Sequence, residues 1–284
     1  MINSTKIKKN INKLSLICQY LIMFTWCLLI FICLGWILLA SLSTTTDIFD
    51  GKLLASGINF QNYYKAFVNN RVGTYFINSI IYSIVSCIGL VILCAPASYA
   101  IARINIKCNK ILKNIFVIGM GIPGIMIVIP LFGIATGLRL INNRFILIMV
   151  YIAMHIPFTI FFLISFFQDI SSTFEESAAI DGCTPFKAFC SIMFPLASPG
   201  IITVSIFNFI SIWNEYFIAL IFANRTNLRP LSIGLFSMIQ SMRYTNDYSG
   251  MFATVVIVLI PTIIIYIILS KKIISNITAG GINE

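Results

Sequence analysis

Long apolar runs alternate with short polar ones along the whole chain. Six apolar runs stand out, at about residues 16–42, 76–101, 111–135, 145–167, 200–223 and 252–270. Each can cross a hydrocarbon core of about 30 Å, which takes about 20 helical residues at about 1.5 Å of rise apiece. A helix apolar on every side has no face to turn to water, so the pattern predicts an all-α polytopic membrane protein with six transmembrane helices. No linker and no internal repeat divides it, and residues 1–284 are expected to form a single membrane domain. A cleaved leader is disfavoured for the first run, which exceeds the usual 7–15 residues of a leader's apolar core and is followed by no small-residue cleavage site.

The polar segment 169–199 breaks this pattern with helix signals of its own. Thr173 followed by Glu176 has the spacing of a capping box, in which hydroxyl and carboxylate each satisfy a free backbone donor. Glu175 and Glu176 suit the positive end of the helix dipole, Ser177, Ala178 and Ala179 keep the helix slim, and Gly182 lies where a helix ends. Thr184 then caps a second helix with Pro185 in its first turn, running through Phe186, Phe189 and Ile192 until Pro195 and Pro199 interrupt it. The expected product is a helix, a tight turn and a helix. A surface helix bound to anionic lipid carries Lys and Arg on its polar face. Glu175, Glu176 and Asp181 make this one acidic, and its small side chains suit a groove in another protein.

Charge near the span ends favours one orientation. With the tail KIKKNINK in the cytoplasm, Lys6, Lys8, Lys9, Lys13, Arg103, Lys107, Lys110, Lys113, Lys187, Lys271 and Lys272 face inward, eleven of the nineteen basic residues. The loop from Arg103 to Lys113 carries four of these cations and no acid. Cytoplasmic lysine and arginine near span ends set topology, so both termini are expected inside. The formal charge of +10 then needs no nucleic acid, because juxtamembrane cations meet anionic lipid. The eight cysteines form no C-x-x-C pair and fall mostly in apolar runs, which excludes a metal or disulfide framework. No catalytic residue and no cofactor is expected.

The polar segment resembles the EAA loop of permease subunits of bacterial ABC importers. Glu176, Ser177, Ala178, Gly182, Ile192, Phe194 and Pro195 occupy the positions of that family's pattern, with Ser177 departing from Ala and Phe194 from Leu. The similarity extends over about residues 58–282 and points to the carbohydrate, maltose-permease type. INFQNY at 58–63, FINSIIYSIVS at 76–86, SYAIAR at 98–103, GIPGIMIVIPLF at 121–132, WNEYF at 213–217 and TAGGI at 278–282 follow in the family's order. The resemblance implies a MetI-like permease fold in the cytoplasmic (inner) membrane, with the first short helix acting as a coupling helix in a cleft of a cytoplasmic ATPase subunit. Glu175, Glu176, Ser177, Ala178, Ala179, Asp181 and Gly182 are the coupling residues it implies. The implied partners are ABC ATPase subunits, a second homologous permease and an extracytoplasmic substrate-binding protein, for which residues 224–251 are the candidate contact. The chain has no G-x-x-x-x-G-K-[ST] phosphate loop, so ATP hydrolysis belongs to a partner.

The fifth run offers a candidate path. Ser205, Asn208, Ser211 and Glu215 recur at intervals of three, three and four and share one helical face. Such residues avoid lipid and turn to a bundle interior or to water. Ser79, Ser83 and Ser86 repeat the theme in the second run, where packing between helices is the simpler expectation. Trp213, Asn214 and Glu215 combine an aromatic face with polar acceptors, which suits a sugar, though Trp also anchors at interfaces. His155 lacks a titratable partner in its run and is expected to be packed or locally hydrogen-bonded. Gly133 and Gly137 have the spacing of close helix packing. A glycerol phosphate ester or polyol permease is an alternative. An ion-coupled transporter leaves the cytoplasmic loop unexplained, and an intramembrane enzyme would need paired acids or a nucleophile with a base.

Overall fold

The computed structural model describes residues 2–69, 71–104 and 108–280, with side chains described except at 2–15, 69, 242–243, 265 and 268–280. Lys107, Gly281 and Ile282 lie outside the described residues, as do the side chains of Lys6, Lys8, Lys9, Lys13, Lys271 and Lys272. The described residues form helices and connecting turns, with no strand among them. They fall into two compact units, one of residues 1–70 with 238–260 and one of residues 71–237 with 261–284.

The first unit contains α1 (Ile2–Leu42), whose stretch from Leu16 is long and apolar enough to span. Two short helices follow, α2 (Thr45–Phe49) and α3 (Gln61–Asn69). A reciprocal cap starts α2: Thr44 Oγ1 accepts the Asp47 amide at 3.2 Å and Asp47 Oδ2 accepts the Thr44 amide at 3.3 Å. The Asp47 carboxylate also takes the Ser56 hydroxyl at 2.8 Å and its amide at 3.2 Å. Asn62 on α3 forks to the carbonyls of Ser41 and Ser43, fastening α3 to the end of the first span.

Two parallel spans, α4 (Val72–Arg103) and α7 (Arg144–Asp169), form the spine of the second unit. Leu90 and Cys94 of α4 and Leu147, Leu163, Ile164 and Phe167 of α7 are fully buried in its core. Close approach rests on Gly89, where a Cβ would lie 2.5 Å from Ile152. The serine stripe of the second run is buried, as packing requires: Ser79 Oγ accepts the Leu231 amide, while the Ser83 and Ser86 hydroxyls have no partner among the described residues.

Two predicted spans are not straight helices. The third divides into α5 (Asn109–Met120) and α6 (Gly124–Gly137), bent by 96° at the intervening Gly121, Ile122 and Pro123. Pro123 carries no amide hydrogen and restricts Ile122 to extended backbone, so the helix ends before it. The fifth ends early: α11 (Ser198–Asn214) stops at Glu215, whose ψ is 133°, and α12 (Phe217–Phe222) starts anew. A Cβ at Gly133 or Gly137 would meet nothing within 4 Å, so among the described residues their spacing marks no close contact. The glycines that do admit a neighbour are elsewhere. A Cβ on Gly200 would meet the Phe166 ring at 2.4 Å, and one on Gly234 the Tyr75 ring at 2.2 Å.

In residues 224–231 the side chains of 224–227 are exposed while Leu228, Pro230 and Leu231 are buried, and the backbone is tied to α4. The Asn78 amide donates to the carbonyls of Asn227 and Arg229, Tyr82 donates to the Leu228 carbonyl at 2.8 Å, and Arg144 holds the Asn78 carbonyl oxygen at 2.8 Å. The helix α13 (Leu231–Thr245) follows, and α14 (Tyr248–Gly280) ends the described chain.

Candidate functional site

The polar insertion folds as α8 (Thr173–Ile180), a turn, and a second helix over Pro185–Leu196, which meets α11 at a bend of 71°. Its start differs from the expected capping box. Ser172, not Thr173, precedes the helix, with helical backbone angles of −64° and −20° and no side-chain cap. Ser172 instead donates from Oγ to Glu176 Oε1 at 2.9 Å. Three consecutive hydroxyl residues, Ser171, Ser172 and Thr173, compete for the role, and the backbone begins its helical bonds at the Ser172 carbonyl.

The turn follows the expectation at Gly182, whose φ is +74°. The Cys183 amide reaches the Ala178 carbonyl at 2.9 Å and the Gly182 amide the Ala179 carbonyl at 3.1 Å, the paired bonds of a Schellman ending. Thr184 Oγ1 then accepts the Lys187 amide at 3.3 Å, with Pro185 in the first turn. The second helix opens as α9 (Pro185–Ala188), widens into a π turn at Phe189–Met193 and closes as α10 (Phe194–Leu196). The π turn accommodates Pro195, since Phe194 bonds back to the Phe189 carbonyl just before the residue that can donate nothing.

Each face of α8 has its own destination. Glu175 and Ala178, three residues apart, turn inward, and Ala178 is 2% exposed. Glu175 accepts the Tyr99 hydroxyl at 2.8 Å on Oε1, and its Oε2 pairs with Arg103 Nε at 3.4 Å. Both Glu175 oxygens are thus engaged by the end of α4. Glu176, Ser177, Ala179, Asp181 and Gly182 are exposed. Beside them Ile180 is 86% and Phe186 75% exposed. Two large apolar side chains exposed on a polar element form a surface that water does not favour.

In the fifth run the polar stripe meets a matching stripe on α7. Asn208 donates to Thr159 Oγ1 at 2.9 Å, Ser211 Oγ lies 3.1 Å from His155 Nε2, and Glu215 Oε2 accepts the Tyr151 hydroxyl at 2.9 Å. Tyr151, His155 and Thr159 stand four residues apart, so they share one face. That spacing, in an otherwise apolar run, is the signal in the sequence that marks them. His155 is locally bonded as expected, its Nδ1 lying 2.8 Å from the Tyr151 carbonyl oxygen.

Glu215 also starts the next helix. Its two carboxylate oxygens accept the amides of Ile218 at 2.6 Å and Ala219 at 3.0 Å, donors otherwise free at the beginning of α12. Trp213 is 5% exposed, stacks on Phe209, meets Phe76 edge-on and donates to Thr262. One face of its ring is covered by Phe209, and the ring borders a small pocket with Ile210, Asn214 and Tyr266; Asn208 is buried. Ser211 and Asn214 are exposed, and Ser205 lines a groove of about 570 Å³ with Ile84, Cys87, Ile88, Val91 and Ile201, whose walls are apolar.

Residues 95–275 match the family described as binding-protein-dependent transport system inner membrane component, and the chain belongs to that family. It is 29% identical to the diacetylchitobiose uptake system permease protein NgcG of Streptomyces coelicolor, with 92% of this chain and 87% of that protein covered. It is 30% identical to the trehalose transport system permease protein SugB of Mycobacterium tuberculosis, with 87% and 90% covered. A solved structure of a bacterial ABC transporter involved in the import of the acidic polysaccharide alginate superposes with a TM-score of 0.79 at 25% identity, covering 90% of this chain and 95% of that one. The chain is thus a membrane permease subunit, built of apolar helices on the architecture of ABC importers.

Proposed function

We propose that this chain is the carbohydrate permease subunit of an ATP-binding-cassette importer in the bacterial cytoplasmic membrane. It crosses the membrane six times with both termini in the cytoplasm and exposes its path to each side in turn. Ser211, Asn214 and Glu215 border that path, and Ser205, Asn208 and Trp213 support it from behind. Two ATPase subunits, a second homologous permease and an extracytoplasmic substrate-binding protein complete the assembly. The observation that carries this function is the outward face of the insertion, where Glu176, Ile180 and Phe186 surround a helix ending sealed by Gly182. It has the shape and chemistry of a docking element for a soluble protein. The uptake proteins it matches support a sugar or sugar-like cargo.

The test is co-purification followed by transport. The intact chain is expected to bring down an ATPase and to support ATP-dependent uptake when trehalose, diacetylchitobiose, sorbitol and glycerol 3-phosphate are tried in turn. Ile180→Glu and Phe186→Glu are each expected to weaken ATPase capture by about tenfold or more, since burying such a side chain contributes about 1.5–3 kcal/mol. Glu176→Lys, which loses the Ser172 bond and reverses a charge on the same face, is expected to act likewise. Uptake driven by an ion gradient without any ATPase would overturn the proposal.

A further inference from the structure

The inward face of the insertion presents a second feature, distinct from docking. Arg103 is the last residue of α4, a helix long and apolar enough to cross a membrane. Its guanidinium joins three elements at one point. Nη2 donates to the carbonyl of Ile170, the residue that closes α7, and Nε pairs with Glu175 of α8. The pair is shielded, with side-chain exposures of 15% for Arg103 and 22% for Glu175. Tyr99, one turn before Arg103 on α4, adds its hydroxyl bond to the same carboxylate.

The Tyr99 ring is itself held on two sides, by Phe167 of α7 at 5.7 Å and by Phe189 of the π turn at 5.1 Å between centroids. Phe189 also contacts Phe167 at 6.4 Å and Phe194 at 5.9 Å. Both halves of the insertion are therefore fastened to α4, α8 through Glu175 and the second helix through Phe189. The aromatic contacts hold by packing. The Tyr99 hydroxyl bond to Glu175 is directional, and the Arg103 charge, which lies 3.4 Å away without a hydrogen bond from Nε, attracts the same carboxylate from a partly shielded position, so together they transmit a push or a pull.

We propose that the Arg103–Glu175–Tyr99 clasp is the link by which movement of α8 is passed to the membrane helix α4, with Glu175 and Arg103 as positioning residues. This rests on the permease function proposed above. Glu176, on the opposite face, meets the motor; Glu175 meets the gate. The two adjacent acids thus serve opposite ends of one transmission.

The experiment uses the full complex, purified with its ATPase subunits and placed in lipid nanodiscs, with ATP and vanadate as the probe so that no cargo is needed. Spin labels on Ile77 and Ile129, both exposed on membrane helices, report whether α4 moves when nucleotide is trapped. Arg103→Gln, Glu175→Gln, the reversals Arg103→Glu and Glu175→Arg, and the paired exchange are compared with the parent. Each single variant is expected to retain its ATPase subunits and basal ATP hydrolysis while the nucleotide-driven distance change falls to about a fifth or less, the lower end of an ordinary coupling factor. The exchanged pair is expected to recover at least half of it, which a role in folding alone does not predict. A full distance change in the single variants, or no recovery in the exchanged pair, overturns the clasp. Loss of the ATPase from Glu175→Gln also overturns it, by assigning Glu175 to the docking interface. A parent chain that holds no ATPase at all fails the permease proposal itself, a separate result from any of these.

Discussion

Gly182 and Glu215 show how single side chains set the ends of helices here. At Gly182 the backbone is left-handed, and a Cβ would meet nothing within 4 Å. The cost of a side chain is therefore conformational, about 1–2 kcal/mol for an ordinary L residue. Gly182→Val is expected to loosen the turn and speed tryptic cleavage after Lys187, while Gly182→Asn, which tolerates that conformation, stays closer to the parent. Equal cleavage of all three would show that the turn does not depend on glycine. At Glu215 the carboxylate oxygens accept one hydroxyl and two amides. Glu215→Gln presents an amide group where acceptors are needed and is expected to cost about 1–3 kcal/mol. A lower melting temperature in detergent is the measurement, with Tyr151→Phe falling between the two, and an unchanged melting temperature rules the capping role out.

Among elements, close packing is decided by a few glycines. Gly200→Ala is expected to destabilise by about 1–3 kcal/mol, because its methyl would enter the Phe166 ring and the core has little space to yield. Adding Phe166→Leu is expected to recover much of that loss, while Gly133→Ala and Gly137→Ala change nothing; thermal unfolding of the four variants checks both statements. At α2 the dependence is on pH. Hydrogen bonds from the Ser56 hydroxyl, opposed by burial, and then from Thr44 hold the Asp47 carboxyl below its usual value. A group depressed in the folded state stabilises above its unfolded pKa of about 3.9 and loses that contribution as pH falls through the folded value. Acid unfolding of the first unit is expected to be less steep in Asp47→Asn, and identical profiles would contradict this.

For the whole molecule, the sequence displays whatever repeats at a fixed interval along one chain. The spans at 16–42, 76–101 and 145–167 were legible because apolar length is a property of consecutive residues, and α1, α4 and α7 contain them. The turn at Gly182 and the Thr184–Pro185 start were legible because caps are local. The stripe of Ser205, Asn208, Ser211 and Glu215 was legible as a face, but its partners on α7 depend on which helix lies opposite. Tertiary structure alone decided three things. It set how sharply the third run bends at Pro123 and where the fifth breaks at Glu215, because a proline only permits a kink and the surrounding packing decides its size. It buried Trp213 and Ala178, because burial depends on neighbours rather than on residue type. It also turned Glu175 inward and Glu176 outward. Adjacent residues on a helix point about 100° apart, and only the arrival of Tyr99 and Arg103, more than seventy residues earlier in the chain, determined which of two like acids would be engaged by α4 and which would stay exposed.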